Sequence, residues 1–110
     1  MATRSKRVVR YSPRADADLN DNYEHTTIHW GIEQAERYLA FLLDTAQQAA
    51  DGTISSRRMK EVPIARVVFA KWKKATYGHY IIFTEEADGI YVLRVLHGAM
   101  DLENHVTGYE

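Results

Sequence analysis

The sequence predicts an α+β domain in which a helical hairpin packs on an antiparallel β-sheet. Three observations carry this expectation. Two amphipathic helical stretches fill the first half and are separated by little more than Gly31. Three strand-like stretches follow with short connections, which favours a meander of adjacent antiparallel strands. The last two strands are joined through Asp88-Gly89, a pair whose backbone freedom suits a hairpin turn.

Val8-Val9-Arg10-Tyr11-Ser12 is a short strand, and Ser12-Pro13 begins a helix. Serine is a good cap, and proline costs nothing at the first helical position, where its missing N–H has no partner to lose. Asp16 and Asp18 suit the positive end of the helix dipole. Ala15, Leu19, Tyr23, Thr26 and Trp30 form one stripe at spacings of three and four, read as core, and Gly31 is placed as a left-handed stop. Ala35, Tyr38, Leu39, Leu42, Ala46 and Ala49 repeat the pattern up to Asp51-Gly52. Residues 53–63 read as a polar loop closed by Pro63, and the strands are placed at about 65–73, 76–84 and 89–97.

At 110 residues and 45% apolar content, one domain spans the chain, with residues 1–7 as a basic N-terminal extension and 102–110 as a C-terminal tail. Without cysteine there is no disulfide framework, thiolate nucleophile or thiolate metal site. No apolar run approaches a membrane span, and the first seven residues lack the apolar core of a signal peptide, so a cytoplasmic protein without membrane contact is expected.

The net charge of −1 conceals segregation. Residues 1–14 carry five bases and no acid, and 15–51 carry eight acids against Arg37. Residues 52–84 carry seven bases against Glu61, and 85–110 carry six acids against Arg94. One basic and one acidic face are expected. Tyr80-Ile81-Ile82-Phe83 and Ile90-Tyr91-Val92-Leu93 are apolar at consecutive positions, so both faces of the sheet are apolar there. One helical hairpin covers one face; the other is expected to be covered by a partner rather than by the chain's own loop and tail.

Four blocks resemble ParE toxins of the RelE/ParE toxin–antitoxin superfamily. Tyr11-Ser12-Pro13-Arg14-Ala15-Asp16-Ala17-Asp18-Leu19 is similar to a Y-x-x-x-A-x-x-D-L start. Trp30-Gly31-Ile32-Glu33-Gln34-Ala35-Glu36-Arg37-Tyr38 resembles W-G-x-x-Q-A-x-x-Y at the helix junction. Gly78-His79-Tyr80-Ile81-Ile82-Phe83 resembles the g-x-H-x-i-x-Y strand, and Arg94-Val95-Leu96-His97-Gly98-Ala99-Met100-Asp101 resembles R-[IV]-L-H-x-x-M-D. The resemblance implies a toxin neutralised in a hetero-oligomer by a cognate antitoxin, usually ParD-like. That antitoxin has a ribbon–helix–helix part, through which DNA is contacted only indirectly, and a disordered tail that folds onto the toxin. It also implies growth arrest through inhibition of DNA gyrase. Two segments depart from the pattern: residues 53–63, and Lys71-Trp72-Lys73-Lys74 where an arginine is often found.

Alternatives from other classes are a RelE-type ribosome-dependent messenger ribonuclease and a non-toxic relative that keeps only antitoxin binding. Metal-free RNA cleavage needs groups to move protons and cations to neutralise the phosphorane. Lys71, Lys73, Lys74, Arg94 and His97 could supply a basic site, but Asp101 after the last strand would repel phosphate. No catalytic residue, cofactor or metal is therefore assigned. His25 and His29 have the helical spacing of a zinc pair but lack a convincing third ligand. The candidates for target or antitoxin contact are Lys71, Trp72, Lys73, Lys74, Tyr77, Arg94, His97, Met100 and Asp101.

Overall fold

A computed structural model describes residues 7–60, 62–72 and 78–98. In chain order the elements are β1 (Val8–Tyr11), α1 (Pro13–Trp30), α2 (Ile32–Asp51), β2 (Arg57–Arg58), β3 (Ala65–Lys71), β4 (Gly78–Glu86) and β5 (Gly89–His97). They form one sheet of order β1-β5-β4-β3-β2 with the helical hairpin on one face.

The β3–β4–β5 meander is antiparallel as expected. β1, however, runs parallel to β5, with Val8 beside Gly89 and Tyr11 beside Val92, so the sheet is mixed. A parallel pair has no local turn joining its strands, and its direction leaves no mark in the sequence. The expected loop also contributes a two-residue edge strand, β2, antiparallel to β3.

Ser12 joins β1 to α1 and serves both. Its N–H donates to Val92 O at 2.9 Å, extending the β1–β5 contact. Its hydroxyl donates to Leu93 O at 2.7 Å and accepts from Ala15 N at 3.0 Å, which caps α1. Leu93 is the extra residue of a bulge, since Phe83 faces Val92 while Ile82 faces Arg94. The cap thus also holds the irregular point of the sheet.

Gly31 ends α1 and starts α2 at φ 94°, ψ 163°, a positive-φ conformation outside the left-handed helical region expected there. The Ala87-Asp88 turn joins β4 to β5, with Glu86 paired to Gly89. Gly89 is not in positive φ; a Cβ there would strike the backbone of Val8. Asp88-Gly89 marks the hairpin, but the glycine is needed for the close approach of β1.

The helix-side core gathers Ala15, Leu19, Tyr38, Leu42 and Ala46 against Val68, Ile81, Phe83, Ile90, Val92 and Val95. Trp30 does not join it and is 69% exposed at the tip of the hairpin. The opposite face has its own core of Val67, Ile82, Leu93 and Leu96, covered by Met59 and Val62 from the β2–β3 connection. Met59 and Val62 are 2% and 1% exposed. The expectation that a partner must cover this face is therefore corrected. Two apolar side chains in a segment that reads as polar, Met59 and Val62, are buried against it.

Candidate partner-binding site

The topology brings Lys71, Trp72 and His97 to one end of the sheet, with Arg94 further in, opposite Ile82 of β4. Lys71 is the last residue of β3, Trp72 follows it, and His97 is the last residue of β5. Between them β4 begins, with His79 directly opposite His97. Lys73, Lys74, Tyr77, Met100 and Asp101 lie outside the described residues.

Trp72 is half-buried, edge-on to Tyr38 with ring centroids 5.5 Å apart and 5.0 Å from Phe41. It ties the end of β3 to α2. Lys71 is exposed. Arg94 is only 9% exposed. Its Nε and Nη2 donate to the two carboxylate oxygens of Asp18 at 2.7 and 2.9 Å. The Val95 N–H donates to the same carboxylate at 2.9 Å. β1 pairs with β5 only as far as Val92, so Asp18 takes over the strand's edge where β1 stops. The planar guanidinium and the carboxylate match in two parallel hydrogen bonds, which fixes α1 against the sheet. Arg94 is thus positioned as an internal tie.

The central residue of this end is His79, which was not among the sequence candidates. It is 5% exposed, with Nδ1 2.6 Å from Tyr38 Oη and Nε2 3.4 Å from Asn22 Nδ2. A neutral ring satisfies both contacts when Nε2 accepts from Asn22 and Nδ1–H donates to Tyr38 Oη. Burial, and secondarily the nearby His97, lower the His79 pKa from 6.5 to about 4, against a smaller opposing effect of Asp18. The His97 ring stands at 81° to it with centroids 5.4 Å apart. The sequence signals for it are a histidine at the head of a strand otherwise rich in apolar residues and its place in the block that resembles the g-x-H-x-i-x-Y strand.

Around His79 lie two adjoining depressions. One, of about 470 Å³, is lined by Asp18, Asp21, His25, His79, Arg94 and His97 among others. The other, of about 290 Å³, adds Trp30, Gln34 and Tyr38. Acid, neutral imidazole, amide and aromatic groups suit contact with a polypeptide better than with a phosphodiester. His25 and His29 stack at 4.1 Å on α1, and no three metal-binding side chains gather among the described residues.

Residues 9–102 match the model of the family described as ParE toxin of type II toxin-antitoxin system, parDE. The chain belongs to this family. It is the toxin component of a type II toxin–antitoxin system, and the system implies an antitoxin partner. Toxin ParE1 of Caulobacter vibrioides is 27% identical over 97 residues, 88% of this chain and 95% of that protein. Toxin ParE1 of Mycobacterium tuberculosis is 31% identical over 97 residues, covering 86% and 93%. A solved structure titled Chromosomal ParDE TA system from P. aeruginosa superimposes with a TM-score of 0.61 at 21% identity, over 83% of this chain and 95% of that one. That likeness concerns the fold. No helix among the described residues is long and apolar enough to cross a membrane.

Proposed function

We propose that this ParE-family chain acts in the cytoplasm by binding and inhibiting DNA gyrase, without chemistry of its own, until a ParD-like antitoxin neutralises it. The observation that carries the non-catalytic reading is the internal engagement of the cleft. Arg94 is bound bidentately by Asp18, and His79 is buried with a lowered pKa between Tyr38 and Asn22. Asp21 adds a further acid to the lining. With the cleft's arginine already paired to Asp18 and a second carboxylate nearby, a phosphodiester is poorly held here.

The antitoxin reading is supported by a second surface. Between α1 and α2, Leu19, Tyr23, Leu39, Ala40 and Leu43, together with Asn20 and Glu36, line a largely apolar groove of about 420 Å³, and Leu43 is 39% exposed. A groove flanked by two helices suits the apolar face of an amphipathic helix.

The deciding experiment is a supercoiling assay with purified gyrase and the purified toxin. Inhibition that rises with toxin and is reversed by the antitoxin is expected. Unimpaired supercoiling at large toxin excess rejects gyrase as the target.

A further inference from the structure

We infer that the sheet face turned away from the helices carries a binding platform for single-stranded nucleic acid, centred on Phe69. This inference does not rest on the gyrase reading, because it concerns the opposite face of the sheet.

Phe69 is 42% exposed, beyond the cover that Met59 and Val62 give to the rest of this face. Its ring contacts that of Tyr80, the residue directly across on β4, with centroids 4.8 Å apart. Two glycines make room for it. A Cβ at Gly78 would lie 2.9 Å from Phe69 Cζ, and one at Gly98 would lie 2.9 Å from Phe69 Cε1. At Gly78 a Cβ would first strike Ala70 O, and at both positions it would crowd the ring, so the exposed aromatic lies over two residues without side chains at the end of the sheet. Next to it a hollow of about 310 Å³ opens between Phe69, Tyr80 and the segment Ser55-Ser56-Arg57.

The charges around the platform select its occupant. Strand alternation puts Val67, Phe69 and Lys71 on one face of β3, and Arg57 pairs with Val67 on that same face. Arg57 and Lys71 are both exposed and form no ion pair with a described residue. The described acids of the sheet lie at its other end: Glu86 and Asp88 pair with Arg10, and Glu85 with Arg66. A bare aromatic ring between two cations fits a base stacked on Phe69 with its phosphates held by Arg57 and Lys71. A duplex hides its base faces and cannot use the ring.

Fluorescence anisotropy with labelled oligodeoxythymidine, oligouridine and a duplex of equal length, at several salt concentrations, tests this. Both single strands should bind more tightly than the duplex, and the oligonucleotides should remain intact. A preference between the two single strands identifies the natural source. Phe69→Ala should weaken single-strand binding about tenfold, since stacking on one aromatic is worth roughly 1–3 kcal/mol per base, while Phe69→Trp should restore it. Arg57→Ala and Lys71→Ala should each reduce the salt dependence by about one phosphate contact. Thermal melts establish that each variant is folded. Absence of single-strand binding at low salt overturns the inference. So does equal binding by wild type and a folded Phe69→Ala variant. An acidic tyrosine-containing peptide that binds the platform more tightly than either oligonucleotide also overturns it, and assigns the face to a protein.

Discussion

Protonating His79 would place a charge where the fold has withdrawn most of the solvent, and that makes stability depend on pH. The ring's pKa is 6.5 unperturbed and about 4 in the folded chain. Above 6.5 it is neutral in both states, and its contribution to stability is fully present. As pH falls below 6.5 the unfolded chain takes up the proton first, so stability declines until about pH 4, where the folded ring titrates as well. The groups facing it are His97, Asp18, Asn22 and Tyr38, of which His97 opposes its charge and Asp18 favours it. Chemical denaturation at pH 7 and pH 4.5, for wild type and His79→Gln, isolates the effect from that of the carboxylates. The wild type should lose about 2 kcal/mol more than the variant over this interval. Equal losses would show that the buried imidazole does not control this acid sensitivity.

The elements are held in place by a few polar ties as well as by their apolar stripes. The Asp18–Arg94 pair, with side chains 14% and 10% exposed, joins α1 to β5 beyond the reach of β1. Asp18→Ala leaves a guanidinium buried without its carboxylate and strips the acceptor from Val95 N–H. We expect a loss of about 3–5 kcal/mol, measured by urea unfolding, with substantial recovery when Arg94→Met removes the stranded charge. A loss below about 1 kcal/mol would mean that the pair is solvated in practice and does not anchor the helix. This tie explains what the sequence could and could not disclose. The caps and periodicity of Ser12-Pro13, Gly31 and Gly52 are local physics, and both helices followed from them. The meander followed from apolar runs separated by turn residues. The parallel direction of β1 and the burial of Met59 depend on partners far along the chain. At the site, Lys71, Trp72, Arg94 and His97 were singled out, yet their roles differ because contacts with Asp18, Tyr38 and Phe41 decide them. His79 was missed because one histidine in an apolar strand gives no sign of its cross-chain partners.

For the whole molecule, segregated charge matters more than the formal total of −1. Acids dominate the helical half, whereas bases dominate residues 52–84, which carry β2 and β3 and end in β4. An antitoxin tail that crosses from the apolar α1–α2 groove toward the end of β3 would pass from an interaction governed by buried area to one governed by charge. The two contributions separate experimentally. Reversing Lys71, Lys73 and Lys74 together to glutamate should weaken antitoxin binding at least about tenfold in low salt, and the deficit should shrink as salt screens both proteins. Leu43→Glu, which places a charge in the groove instead, should weaken binding by a similar factor with little dependence on salt, because the loss there is of apolar contact. Isothermal titration of each variant against the purified antitoxin at low and high salt reads both slopes. If the triple reversal leaves affinity unchanged and insensitive to salt, the basic half of the chain does not face the antitoxin, and the tail must follow another route across the toxin.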